Sequence, residues 1–393
     1  MSARYRWVVL GLGILAQAAF AALLTGFPAI GPAIRDEYGL SLSGFGALIG
    51  AITAGATLTL VPWGLLTDRI GERISISFGL AGAAAALAVS ATGGGALLAG
   101  MLLVAGALGA VANVASGRVV MGWFGFAERG MAFGLRQAAV PLGGAVAAFT
   151  LPALVAATDA RDGLVALSAG CLAAAVACGV WLREPSRSRA SSGLGPLRDR
   201  RVYRLAGASG LLVASQAAVV GFVVLFLHDE RGMTEVAAGA VLAAIQVVGV
   251  GLRIAAGRWS DRLARRVLPL RWAAAAISAT WVVTPLLLDL PLQVAVPVVV
   301  VAGAITFGWN GLSFNAAAEF AEEGRSGTAI AIQQTALFAA ASITPPVFGL
   351  LVSATSWRAG FWGLAVGPAL CWLLLRPLAR SEEEGVAMGT SPT

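Results

Sequence analysis

The chain has 393 residues, 58% of them hydrophobic and only 12% charged, about half the charged share of an ordinary soluble domain. A mean hydropathy of +0.83 makes the bilayer its solvent and excludes a water-soluble enzyme or binding module. The net charge of +7 does not point to nucleic acid, because the basic residues are all arginines in short turns between apolar runs and build no basic face.

A short basic start, Met1 to Trp7, leads into an apolar run ending near Ile34. That run is too long for a signal-peptide core and reads as the first spanning helix. Further runs follow at about 41–66, 74–92, 96–124, 131–157, 163–182, 203–228, 236–259, 267–288, 292–318, 327–354 and 359–376, which makes twelve, judged against the roughly 20 residues a crossing needs. They are far longer than barrel strands and rich in Ala, Leu and Gly, so an all-α membrane protein is expected. Arg183–Arg201 is polar and basic, with Pro185, Ser191, Ser192, Gly193 and Pro196. It reads as a linker (183–202) between two six-helix bundles, 1–182 and 203–380. The tail, 381–393, carries Glu382, Glu383 and Glu384 and ends Gly-Thr-Ser-Pro-Thr, the composition of a disordered segment.

Arginine distribution sets orientation. With the N-terminus inside, 20 arginines fall on the cytoplasmic side, 4 outside (Arg35, Arg161, Arg231, Arg358) and 3 within spans. Both termini and the linker are therefore expected in the cytoplasm of a cell-membrane protein.

The halves repeat. Gln17-Ala18-Ala19 matches Gln216-Ala217-Ala218 at an offset of 199 residues. Asn113 and Ser116 match Asn310 and Ser313 at 197, as Gly130, Ala132 and Gln137 match Gly327, Ala329 and Gln334. Gly64-Leu65-Leu66-Thr67-Asp68-Arg69-Ile70-Gly71-Glu72-Arg73 has a fainter copy in Gly257-Arg258-Trp259-Ser260-Asp261-Arg262, with Asp68 and Asp261 193 apart. A drifting offset is the mark of an old duplication with loop trimming. Parallel six-helix repeats carry their site near the midplane.

The Gly64–Arg73 turn, twelve spans, basic linker and duplication together resemble the major facilitator superfamily over essentially the whole chain. The resemblance implies a twelve-helix carrier working by alternating access. It also implies that Gly64, Asp68 and Arg69, with Asp261 and Arg262 in the copy, gate the motion. The simpler reading is that Asp68 and Arg69 cap a cytoplasmic turn.

Three arginines lie inside spans: Arg118, Arg136 and Arg253. A charge there costs at least ~2.5 kcal/mol and normally faces a wet cavity. Counted along the helix from the nearest turns, they sit about 14, 10 and 12 Å deep, against a half-thickness of roughly 15 Å. Gln246, Arg253 and Gly257 share one helical face. The spacing Arg253-x-x-x-Gly257-x-x-x-Asp261 resembles the helix-8 arginine of the superfamily's monocarboxylate and oxalate carriers, and the second anion-binding arginine of its nitrate porters. The first-half nitrate-porter position holds Leu60 or Thr59, which argues against nitrate itself. Arg253 is thus the expected main ligand, with Arg118 and Arg136 as helpers. Asn113 and Arg118 are about 140° apart on their helix, so both cannot point squarely into one cavity. The amides form a second tier, Gln17, Gln137, Gln216, Gln246, Asn310, Asn315, Gln333 and Gln334; repeat symmetry favours Gln17 with Gln216 and Gln137 with Gln334 for orienting the substrate, although an amide in a span often just bonds a neighbouring helix.

The acids all map to turns or tails, and only Glu319 approaches a helix interior. A proton-driven exporter of cationic drugs usually needs a midplane carboxylate, whereas buried cations favour an anion. Pro141-Leu142-Gly143-Gly144 resembles the antiporter motif of drug exporters, but Val140 precedes it and the spacing is one short, so it reads as helix packing with a kink. Cys171, Cys178 and Cys371 lie in apolar helices as packing residues, and a single histidine, His228, excludes a His-cluster metal site. Without a phosphate loop, nucleophile triad or metal cluster, neither enzymatic activity nor a cofactor is expected. The reading is a monomeric carrier of a small organic anion, with protons or a counter-anion as coupling partners. A drug or metabolite exporter and a non-transporting membrane sensor are the alternatives.

Overall fold

The computed structural model describes residues 4–124, 126–184, 199–263, 265–321 and 325–387. Most of the expected linker lies outside these residues.

The first span, Tyr5–Tyr38, is built from α1 (Tyr5–Ala21), a π-helical turn (Ala22–Gly26), a 3-10 turn (Phe27–Ile30) and α2 (Gly31–Tyr38). Next comes α3 (Leu42–Ile70), started by Ser41, whose hydroxyl accepts from the Gly44 N–H at 3.0 Å. The helix continues past Pro62 and ends at Gly71, at φ 88°. So α3 runs through Gly64, Asp68 and Arg69, and the expected 64–73 turn shrinks to Gly71 between two helices. After α4 (Glu72–Ser90), the fourth span breaks at Ala110 into α5 (Gly95–Gly109) and α6 (Val111–Trp123). The first half ends with α7 (Phe126–Ala157) and α8 (Ala160–Trp181), the latter capped by the Asp159 carboxylate.

The second half opens with α9 (Arg200–Leu225), which also runs into a π-helical turn (Phe226–Glu230), then α10 (Glu235–Leu263) and α11 (Val267–Leu287). Its fourth span breaks like the first half's, into α12 (Leu292–Ile305) and α13 (Asn310–Glu319). After these come α14 (Ser326–Ala354), α15 (Trp357–Gly363), α16 (Val366–Leu374) and α17 (Arg376–Ala387). Among the described residues, eleven helical segments are long and apolar enough to cross a membrane. The run expected as the twelfth, 359–376, is divided between α15 and α16. There is no strand among the described residues. Outward faces are apolar, with Leu58 69%, Val146 65% and Phe78 64% exposed, as lipid contact requires.

The chain forms two compact units. The first comprises Met1–Ala190, Val220–Gln246 and Pro345–Leu350, and the second Ser191–Val219, Val247–Thr344 and Leu351–Thr393. In the first, α3 packs on α5, α4 on α8 and α1 on α7. A Cβ on Gly55 would strike the Leu103 carbonyl, and one on Gly106 the Ile52 carbonyl. Small residues here let two helix backbones touch, the main source of helix association in lipid. Phe27 stacks on Phe45 at 5.8 Å, Phe45 meets Phe222 at 6.4 Å, and Phe222 meets Phe348 at 4.9 Å, joining all three pieces of this unit. In the second unit α11 is the hub, packed against α12, α13, α15, α16 and α17, with Trp281 stacked on Phe361.

The described part of the tail, up to Ala387, belongs to α17. Glu382 ties it to α11: its carboxylate accepts from the N–H groups of Arg266 at 2.6 Å, Val267 at 3.2 Å and Leu268 at 3.0 Å. It caps the free donors at the start of α11, where a negative charge also suits the helix dipole.

Candidate functional site

In the first unit the polar groups converge on Arg136 of α7, which is 3% exposed. Its Nε donates to the Ser116 hydroxyl at 2.9 Å, and Nη1 to Gln137 Oε1 at 3.1 Å. Nη2 donates to Gln17 Oε1 at 3.0 Å and to the Asn113 carbonyl at 2.7 Å. The Gln17 amide also donates to Asn113 Oδ1. α1, α6 and α7 therefore meet at this guanidinium, whose described bonds go to hydroxyl, amide and carbonyl oxygens. The break at Ala110 starts α6 just before Asn113 and sets its side chain toward Gln17. Gly117 lies against the guanidinium, where a Cβ would meet Arg136 Cζ at 3.4 Å, in van der Waals contact.

The second unit repeats this arrangement. Asn310 Nδ2 donates to Gln216 Oε1 at 3.1 Å, again just after a helix break. Gln333 stands where Arg136 stands, 197 residues on. Its amide nitrogen donates to Ser209 at 2.7 Å and to Ser313, and those two hydroxyls are 2.6 Å apart. All three residues are fully buried.

The other candidates are distributed more widely. Arg118 is 41% exposed and paired with Asp68 at 2.5 Å and Glu72 at 3.6 Å. It belongs to the α3–α4 junction, apart from the Arg136 cluster. Gln246 is fully buried in the first unit, its amide 3.5 Å from the Thr25 carbonyl in the π-helical turn. Gly144 makes room for this contact, because a Cβ there would strike Thr25 and Gln246. Arg253 is half-buried on α10, with its aliphatic stem beside Gly311 of α13. Gln334 is half-buried next to Gln333.

At the other Asp-Arg copy, Asp261 accepts from Arg266 at 2.6 Å, and Arg266 also reaches Glu319 at 2.6 Å. Partial burial lowers the Arg266 pKa, but the bonds to Glu319 and Asp261 outweigh it and hold the guanidinium above its ordinary value. Arg262 lies exposed at the end of α10. The ion pairs are charge-swapped between units. In the first, α6 supplies the cation to an acid at the start of α4. In the second, α13 supplies the acid to a cation at the start of α11.

The sequence profile of the Major Facilitator Superfamily matches residues 10–345. The chain belongs to this superfamily. An uncharacterized MFS-type transporter of Mycobacterium tuberculosis, Rv2994, is 33% identical over 395 residues, covering 96% of this chain and 87% of its own. Among solved structures, a bacterial homologue of the human lysosomal transporter Spinster, in an inward-facing and occupied conformation, superposes with a TM-score of 0.80 at 14% identity, covering 97% of this chain and 98% of its own. A mutant of the nucleoside transporter NupG superposes with 0.76 at 11% identity, covering 95% and 99%. These structures share the superfamily fold. The protein is a multi-pass membrane transporter.

Of the polar residues in these clusters, sequence reasoning named Gln333 among the amides and Ser116 with Ser313 only as a repeat pair, and missed Ser209 altogether. The signal was there, since the 197-residue offset that pairs Gln137 with Gln334 also pairs Arg136 with Gln333. Serines are too common in spans to stand out without their partners.

Proposed function

We propose that this superfamily member carries a small organic anion, a carboxylate, across the cell membrane by alternating access, with both termini cytoplasmic. The observation behind the reading is Arg136, a cation 3% exposed near the start of the apolar run of α7, whose described hydrogen bonds go to Ser116, Gln17, Gln137 and Asn113. A guanidinium is costly in lipid, and its planar fork matches a carboxylate. Arg253 is the second cationic candidate, in the other unit. Among the described residues the carboxylates lie at or near helix ends, so proton coupling, where present, rides on the substrate or on a boundary group such as Glu319.

The test is uptake into proteoliposomes across a panel of organic anions, neutral metabolites and cationic drugs. Arg136→Gln, which keeps the size and hydrogen bonding of the second repeat, should lower anion uptake about 10- to 100-fold, the usual worth of a charge-assisted bond. Arg253→Ala should lower it as well. Wild-type anion flux in Arg136→Gln, or flux of cationic compounds alone, sinks the reading.

A further inference from the structure

Two stretches of the second half, Val220–Gln246 and Pro345–Leu350, belong to the first unit. There the halves touch backbone to backbone. A Cβ on Gly46 of α3 would strike the Pro345 carbonyl of α14, and one on Gly349 of α14 the Leu42 carbonyl of α3. One on Gly239 of α10 would strike the Ala148 carbonyl of α7. Ile49 of α3, 5% exposed, lies against Gly221 of α9. These contacts lie toward the helix ends that meet the 39–41 and 231–234 turns, the side expected to face outside.

An ion pair bridges the halves at this end. Arg35 of α2 donates through Nη1 to Asp229 Oδ2 at 2.5 Å. Its Nε is fixed on the Leu40 carbonyl at 3.2 Å, across the turn that ends α2. The two side chains are 23% and 30% exposed, so water and salt screen the pair only in part.

Other charges at this end oppose closure. A cavity of about 410 Å³ is lined by Asp36, Glu37 and Asp159 from the first half and by Glu235 from the second. Glu37 is paired with Arg161 at 2.8 Å, and Asp159 caps α8. Asp36 and His228 are the titratable groups beside Glu235, whose Oε2 is buried without a hydrogen-bond partner. Asp36 and Glu235 thus set like charges against each other across the halves.

We propose that Arg35 latches this end of the carrier. Its bridge to Asp229 holds the halves together against the repulsion between Asp36 and Glu235, and the bridge breaks when the end opens. The inference rests on alternating access in the reading above, and not on the anion.

The charges make the two partners unequal. Arg35→Gln removes the attraction and leaves Asp36, Asp229 and Glu235 with no guanidinium between them. Asp229→Asn removes an acid along with the bond and should open the end less.

Thiol labelling of purified protein, with no substrate present, tests the latch. Ile49→Cys, in a background with Cys371 replaced, reports the end by its rate of labelling. Cys171 and Cys178, fully buried in the first half, are the controls for an intact fold. Arg35→Gln should speed labelling at position 49 roughly fivefold, the worth of one partly buried ion pair. Arg35→Asp should speed it further. Combining Arg35→Asp with Asp229→Arg should return the rate toward the wild type, and this exchange keeps the test alive if a single variant folds poorly.

A wild-type rate in both Arg35→Gln and Arg35→Asp overturns the proposal. So does an exchange no better protected than Arg35→Asp alone, or faster labelling in Asp229→Asn than in Arg35→Gln. Anion uptake is not part of the readout, so failure of the anion reading leaves the result unchanged.

Discussion

Gly71 holds φ at 88° and ψ at 164°, a region essentially reserved for glycine. Its missing side chain also leaves room for Glu184, whose carboxylate a Cβ would strike. Gly71→Ala should therefore cost about 1–3 kcal/mol from the backbone alone, with the displaced glutamate on top. Gly64 is the contrast, because it lies inside α3 and a Cβ there meets nothing within 4 Å. Gly64→Ala should be neutral or stabilising by about 0.4–1 kcal/mol. Thermal unfolding of the two purified variants decides, and equal losses would refute the conformational argument. The same scale shows what a sequence hides. Arg118 and Arg136 look alike as arginines in apolar runs. What separates them is a partner that no local pattern reveals: α3 continues to Ile70 and brings Asp68 to Arg118, while Ser116 and Gln17 close around Arg136.

At the level of elements, one carboxylate joins α17 to the start of α11, beside the buried Leu378 and Ala379. Glu382 takes three backbone N–H groups of α11, so Glu382→Ala should cost about 0.5–2 kcal/mol, like loss of a helix cap. Hydrogen exchange should speed up at residues 266–268, and α17 should become open to protease. Unchanged protection at those amides would show that the tail is held by other contacts. Spans were legible because apolar length is a strong signal. The tail was not, since three glutamates before a Gly-Thr-Ser-Pro end carry the composition of a solvated segment and the cap lies 116 residues earlier. The break at Ala110 was also hidden, because it occurs inside apolar sequence, and the one before Asn310 is marked only by Thr306 and Gly308, too little to interrupt the apolar run.

For the molecule as a whole, the duplication extends to features no motif marks. Glu184 follows α8 and lies over Gly71 at the start of α4, and Glu382, 198 residues on, caps the start of α11. Fold class and repeat were readable from length, period and offset, whereas the pairing of charges across elements needed three dimensions. The arginine asymmetry predicts topology. In a variant with Cys171, Cys178 and Cys371 replaced, Ser191→Cys should react with a membrane-impermeant thiol reagent only after cells are opened, and labelling of intact cells would invert the assigned orientation. The Arg136–Gln333 correspondence has a genetic consequence. CGA and CGG encode arginine, CAA and CAG glutamine, so one base transition separates them at either site. The serine and amide surroundings are already present in both repeats, so gaining or losing this charge is a single-base event at either site.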